Sequence, residues 1–508
     1  MTQSSTVAAV DLGSNSFRLQ MARVVDDQIY PLDSLREPVR LAAGLTAEKR
    51  LDDASQERAL ECLKRFGERI RGLPPEAVRA VGTNTLRVAK NAKEFLAKAE
   101  SALGFPIDIV AGREEARLIY LGVSHSLPAT SSKRLVVDIG GGSTEFIIGS
   151  GYRPQKLESL YMGCVSHSLK FFAGGKLSKG NVKQAEVAAR LELQTIARDF
   201  SAGHWAEAVG SSGTARALAD ILEENGWSSG GITAAGLDRL RSAMLKAGDL
   251  DRLSLAGLKA DRVPVLPGGF TIMSAIFSEL QVTQMAVANG AMRQGVLYDM
   301  VGRFHHRDMR DTSVAQFMKR YHVDPAQIRR VEQLALSLFR QFAGDLHADD
   351  EHLVQLLSWA ARLHEIGLTV AHNGYHKHSA YILSHADMPG FSKMEQTRLS
   401  TLVVAHRGSV DKLRGLVGYE VELAMVIALR LAVLFCRSRV NARLPSIEAH
   451  CKGTHYRLKL DTDWLRENPL TTAALREEVR EWRRLGVDLE IKALAEIELD
   501  AEAAFANG

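Results

Sequence analysis

The chain has 508 residues, too many for one hydrophobic core, so two to four domains are expected. Hydrophobic residues make up 46% and charged residues 24%, with a formal net charge of +4, which admits an anionic ligand but excludes a nucleic-acid-coating composition. The longest apolar stretch, Leu423–Cys436, is broken by Arg430 and too short to span a bilayer. The N-terminus carries no signal-peptide pattern, and a cytoplasmic protein without membrane insertion is expected. Cys62, Cys164, Cys436 and Cys451 are scattered without a C-x-x-C pair and read as buried free thiols.

In chain order, residues 1–122 alternate apolar strands with helices. VAAVDL and FRLQMARVV come first, then the helix Ala54–Arg71, AVRAVGT, the helix Ala92–Ala102, and IDIVAG before a further helix. The alternation predicts an α/β domain with a largely parallel sheet. Residues 123–305 restart the pattern with LVVDIGGGSTEFIIGS, helices at Val182–Phe200 and Leu237–Ala247, and the strand-and-turn AEAVGSSGTARAL. Asp11 and Asp138 occupy equivalent strand–turn–strand settings, which points to a duplicated domain. Residues 306–445 change character. Ser313–Tyr321, Ala326–Ala343, Asp350–Ile366 and Met394–His406 carry apolar residues at helical spacing and predict an all-α domain. Residues 446–508 read as a small α+β domain with strands HYRLKLDT and DLEIKAL and the helix Thr472–Leu485.

The two Asp-containing loops carry the chemistry. In AAVDLGSNSF a buried strand runs into a carboxylate and a row of small residues, and in DIGGGSTE three glycines let the backbone approach a ligand and present amides as an anion nest. Asp138 and Glu145 flank that nest. Carboxylates beside a phosphate repel it unless a divalent cation lies between, so the combination implies Mg²⁺ or a similar hard ion. Gly210–Thr214 is a candidate third phosphate-facing loop.

Loops DLGSNS and DIGGGSTE on duplicated α/β domains resemble the actin-like ATPase, sugar kinase and Hsp70 superfamily, whose phosphates lie between domains. DLGSNSFRL, VGTNTLRVA, AGREEARLIYLGV, VVDIGGGSTEF, MGCVSHSL and GSSGTARAL, in this order, are similar to the exopolyphosphatase/guanosine pentaphosphate phosphatase family. The resemblance implies two actin-like (ribonuclease H-like) domains, an HD-like helical domain, a small C-terminal domain and a homodimer. It assigns the catalytic base to Glu115 of REEAR, and in-line hydrolysis of a phosphoanhydride does need a carboxylate to position and deprotonate water. Its neighbour Glu114 reads as a solvated carboxylate near a helix N-terminus. By the same resemblance, Asp138 and Glu145 hold the metal. Ser14, Asn15, Arg87, Gly140, Gly141, Gly142, Ser143, Gly213 and Thr214 contact phosphates, with Arg262 a further candidate.

The helical region carries HEIG (His364–Gly367), HKHSAYIL (His376–Leu383) and AHRG (Ala405–Gly408). It resembles an HD phosphohydrolase domain but has His364-Glu365 for the His-Asp pair and Val433 where a late aspartate is expected, so a degenerate scaffold is expected rather than a second active site. Between Leu423 and Ile447 there is no acid, yet Arg430, Arg437, Arg439 and Arg443 are present. Arg437, Arg439 and Arg443 read equally as helix-end charge or as a track for a long polyanion. Inorganic polyphosphate is the expected substrate on this reading, with guanosine pentaphosphate the alternative. A phosphotransferase and a non-catalytic nucleotide-binding regulator are remoter alternatives.

Overall fold

The computed structural model describes residues 5–25, 28–128, 130–304, 308–347, 351–416, 420–441 and 444–492. The chain divides into two units, Met1–Met309 with Pro389–Lys393, and Arg310–Met388 with Met394–Gly508.

In the first unit the apolar run at residues 7–10 forms the centre of β1 (Ser5–Leu12), fully buried because both faces of its sheet are covered. β2 (Phe17–Val25) returns antiparallel, and β3 (Gln28–Glu37) follows on the edge. The sequence reading contained no strand at β3. Its Pro31, charges and half-exposed face are what an edge position tolerates. β4 (Val78–Gly82) and β5 (Ile107–Ile109) run parallel to β1, completing the order β3-β2-β1-β4-β5. The sheet is therefore parallel only over β1, β4 and β5, which corrects the largely parallel expectation.

The second sheet repeats this plan. β6 (Arg134–Ile139), β7 (Thr144–Ser150) and β8 (Arg153–Leu160) form the antiparallel meander, and β9 (Glu207–Gly210) runs parallel to β6 as β4 does to β1. β10 (Ile232–Thr233) and β11 (Gln284–Val287) complete the order β10-β11-β9-β6-β7-β8. The helix expected at Val182–Phe200 is broken into Lys179–Gln194 and Ala197–Phe200, because Ile196 leaves helical geometry at φ −120° and buries its side chain in the core.

Two helices, Gly112–Ser126 and Met292–Phe304, share one core with the inner faces of both sheets, from Val7, Ala9 and Val81 on one side to Val136, Ile147 and Val209 on the other. They pack so closely that any side chain at Gly295 would collide with the Leu118 carbonyl. The outer faces are covered by Asp53–Ile70 and Ala92–Leu103 on the first sheet, and by helices including Lys179–Gln194 and Leu266–Glu279 on the second. This layering places the N-terminal end of Gly112–Ser126, with the REEAR motif, between the two sheets.

Apart from the first residues Met309 and Lys393, which fall in the first unit, the second unit holds the helices Met309–Arg320, Pro325–His347, Glu351–Leu363, Tyr375–His385, Lys393–Ala405 and Glu420–Phe435. It also holds a small sheet of β12 (Glu448–Lys452), β13 (His455–Lys459) and β14 (Asp488–Ile491), packed with the helix Pro469–Arg484. Among the described residues no helix is long and apolar enough to cross a membrane.

Candidate active site

The β1–β2 and β6–β7 connections, each opening after an aspartate, meet. A side chain at Gly141 would bring its Cβ within 2.9 Å of the Ser14 Cβ, so the first requirement on the triple glycine is close approach. None of Gly140, Gly141 and Gly142 has a positive φ. The carbonyls of Gly140 and Gly141 accept hydrogen bonds from the amides of Cys164 (2.9 Å), Val165 (3.0 Å) and Ser166 (3.1 Å), which fixes the loop on the helix Cys164–Phe171. Thr85 of TNTLR donates to Ser14 Oγ at 2.8 Å. In the third loop Ser212 caps the helix Gly213–Glu224, and Thr214 Oγ1 donates to the Ile139 carbonyl at 3.0 Å. Ser14, Asn15, Gly140, Gly141, Ser143, Gly213 and Thr214 thus line one cleft between the sheets. Gly142 lies behind this wall, against Asn84.

Glu115 lines the same cleft from the first turn of Gly112–Ser126. Arg87 Nη1 donates to Glu115 Oε2 at 2.7 Å and to the Val110 carbonyl at 3.0 Å. Burial opposes charge on Arg87, but the attraction and hydrogen bond of Glu115 outweigh it and raise its pKa. Arg87 therefore holds the carboxylate from behind rather than lining the cleft. Glu115 Oε1 has no hydrogen-bond partner among the described residues. The neighbouring Glu114 is not solvated. It is 3% exposed and takes two hydrogen bonds of 2.8 Å from Arg117, because the helix lies between two sheets and buries its whole circumference. Arg117 also binds Asp299, which pairs with Arg79.

Asp11 and Asp138 converge on the cleft from equivalent ends of β1 and β6. Burial pushes the Asp11 carboxyl up to about 7, with Arg18 and Arg293 opposing and Glu115 and Asp138 reinforcing the rise. Burial also raises Asp138, to about 6, against a 2.5 Å hydrogen bond from Ser211 Oγ. Asp11 Oδ1 is buried without a hydrogen-bond partner. Two burdened carboxylates, one with an orphaned oxygen, fit a hard divalent cation that would relieve both. Glu145 fits less well. It is 1% exposed, accepts from Ser159 Oγ at 2.9 Å and stands behind the wall on β7, where burial and the nearby Glu115 and Asp138 hold its carboxyl well above the usual range. Among the described residues no three His, Cys, Asp or Glu side chains close on one point, so such a cation would complete its shell with water and substrate oxygens.

Opposite the acids stand arginines that the sequence reading missed. Arg18, Arg216 and Arg293 line the cleft beside Arg262, and none of these three has a side-chain hydrogen bond or ion pair among the described residues. Burial, and then the charge of Arg293, lowers Arg18 to about 10, and burial lowers Arg262 and Arg293 as well. Two of them carried a signal. Arg18 faces Asp11 across the hairpin register, and Arg216 follows the third loop by two residues.

In the helical region His364 Nδ1 lies 2.6 Å from the Ala361 carbonyl and His406 Nδ1 lies 2.5 Å from the Val403 carbonyl. The His406 ring also packs against His364 and His376. Arg439 is not a free track residue, since it pairs with Glu365 and, at 3.7 Å, with Asp324. Arg437 has no such partner among the described residues, and Arg443 lies outside them.

Residues 20–304 match the Ppx/GppA phosphatase family, and residues 309–479 match Ppx/GppA phosphatase, domain III. The chain is 37% identical over 492 residues to a guanosine-5'-triphosphate,3'-diphosphate pyrophosphatase of Aeromonas hydrophila, covering 96% of this chain and 98% of the relative. It is 38% identical over 488 residues to the protein of that name from Vibrio cholerae, with the same coverage. Two solved structures share the fold with a TM-score of 0.53. One is an exopolyphosphatase-like protein (24% identity, 58% of this chain, 97% of that one), the other an exopolyphosphatase of Cytophaga hutchinsonii (22%, 58% and 98%). With the family's models matching residues 20–304 and 309–479 and a relative 37% identical over 96% of this chain, the chain belongs to the Ppx/GppA phosphatase family.

Proposed function

We propose that the chain removes the terminal 5′ phosphate of guanosine pentaphosphate, giving guanosine tetraphosphate and orthophosphate. Similarity over nearly the whole length to two proteins named for that nucleotide supports it ahead of inorganic polyphosphate, reversing the order expected from sequence. The observation that carries the chemistry is Glu115. One oxygen is held by Arg87 while the other is open toward a cleft with unpaired arginines on its wall.

In this reading Glu115 Oε1 accepts a hydrogen bond from water placed in line with the terminal phosphorus. As the new P–O bond forms and the bridging P–O bond breaks, the water proton passes to Glu115. The Ser14, Gly140–Ser143 and Thr214 loops orient the phosphoryl group, and Arg18, Arg216 and Arg293 take the charge that develops on the leaving phosphate. Asp11 and Asp138 would hold Mg²⁺, whose charge offsets that of the phosphate oxygens.

A second reading has an observation of its own. The cleft wall presents polar, charged and aliphatic groups but no aromatic side chain among its described residues, so it recognises phosphate without a base-stacking surface. Inorganic polyphosphate suits the same site. Phosphate release by purified protein on both substrates, with Glu115→Gln as control, tests the assignment. A higher kcat/KM on guanosine pentaphosphate supports the first reading, and a higher value on polyphosphate the second. For the helical region, Glu365 tied to Arg439 and Val433 in the place of a late aspartate support a degenerate HD-like scaffold in a structural role.

A further inference from the structure

One ion pair bridges the two sheets' elements beside this cleft. Arg36, near the end of β3 on the first sheet, donates Nη2 to Asp261 Oδ2 at 3.0 Å. Asp261 belongs to the loop that leads into the second sheet's helix Leu266–Glu279, and it also lies 3.8 Å from Nε of Arg262, which lines the cleft. A single carboxylate thus faces two guanidinium groups from opposite halves of the site.

The surroundings are otherwise cationic. Arg36 and Arg216 both press on Arg262 and on Arg293, and Arg18 feels all but Arg262 of this group. Such crowding attracts an anion. Asp261 supplies one, yet the pair is loosely held, because the Arg36 and Asp261 side chains are 39% and 37% exposed. A contact so open to solvent is easily exchanged for a multiply charged competitor.

We propose that Arg36 and Arg262 form a distal anion subsite, and that Asp261 fills it as an internal anion until a substrate phosphate beyond the leaving group displaces it. The proposal rests on the reading of the cleft as a phosphoanhydride hydrolase site. The ligand class is a phosphate-bearing arm remote from the cleaved bond. The 3′-diphosphate of guanosine pentaphosphate and the inner units of a polyphosphate chain offer the same chemistry. Asp261 then lowers affinity for every substrate long or branched enough to reach it, and Arg36 raises it.

Four substrates separate the sources. GTP lacks the 3′-diphosphate that guanosine pentaphosphate has, and tripolyphosphate lacks the inner units of a long chain. Asp261→Asn should lower KM by about two- to fivefold, the range of an exposed ion pair, for the larger member of a pair and not for the smaller. An effect confined to the nucleotides assigns the subsite to the 3′-diphosphate, and one confined to the polyphosphates assigns it to chain units. Arg36→Gln should raise the same KM values, and adding Asp261→Asn to Arg36→Gln should recover little of the loss. An Asp261→Asn effect of full size without Arg36, or equal effects on small and large substrates, overturns the masking role. Unchanged KM values in an active enzyme overturn the subsite alone. Absence of turnover on all four by the wild-type protein overturns the reading of the cleft, and the subsite with it.

Discussion

Arg87 Nη1 and Glu115 Oε2 lie 2.7 Å apart, with both side chains only about one-tenth exposed, 11% and 10%. The pair fixes which oxygen of the carboxylate faces the cleft. Glu115→Gln keeps the shape but cannot take a proton, so kcat should fall roughly 10²–10⁴-fold, with some loss of Tm because Arg87 loses its charge partner. Glu114→Gln should lower Tm without touching the chemistry. It weakens a buried hydrogen-bonded pair at a cost of about 1–3 kcal/mol, since Arg117 keeps Asp299, and the folded fraction keeps its kcat. Thermal melts beside initial rates check both, and equal losses of kcat in the two variants would refute the assignment.

Gly141→Ala tests the meeting of the loops. The added methyl would stand 2.9 Å from the Ser14 Cβ, tighter than real contacts allow, so one loop must retreat. A displacement of that kind should lower kcat/KM about 100-fold while the outer cores of the sheets stay intact. Near-native circular dichroism with lost turnover is the expected result.

Asp11→Asn and Asp138→Asn should each raise the Mg²⁺ concentration for half-maximal rate at least about tenfold. Glu145→Gln should move it less, because that carboxylate sits behind the wall against Ser159. Metal titrations at fixed substrate decide the matter, and a larger shift for Glu145→Gln would restore the pairing of Asp138 with Glu145 expected from sequence.

Burial holds His364 and His376 near pKa 4, below the usual 6.5, and keeps His406 well below that value too. An unfolded chain binds protons at these histidines from about pH 6.5 downward, whereas the folded chain resists until about pH 4. Stability from this cluster is therefore complete above pH 6.5 and is lost as pH falls through that window. The urea midpoint should drop between pH 7.5 and pH 5, and His376→Gln should flatten the drop by about one proton's worth.

Arg439→Gln should lower stability by about 1–2 kcal/mol, since it leaves Glu365, 6% exposed at its side chain, without its charge partner. The salt dependence of polyphosphate binding should stay as it is. A flattened salt slope with unchanged Tm would favour the polyanion track instead.

What the sequence disclosed and what it hid follow one physical line. Asp11, Asp138 and their small-residue loops were legible because a strand end, a turn and a carboxylate are local features. Arg293 opens the helix Met292–Phe304 with no such local mark, and only tertiary folding brings it to Asp11. Arg18 was readable in principle, since pairing VAAVDL with FRLQMARVV sets it across from Asp11. Glu114 misled because a first-turn carboxylate normally meets water. The warning lay in Ala116, Leu118, Ile119 and Tyr120, which leave that helix no polar side to expose. β3 was hidden by its edge position, which favours the charges and proline that argue against a strand.

The helix Met292–Phe304 completes a core begun by Val7 and Ala9, and its Asp299 neutralises Arg79 and Arg117 from the first third of the chain. On the ribosome, then, the N-terminal sheet emerges long before the piece that closes its inner face. Until about residue 300 has been made, two arginines destined for the interior have no aspartate, and the apolar inner face of the sheet has no lid. Such a nascent chain must wait in a soft, chaperone-accessible form, and stalling translation just before Met292 should trap it there.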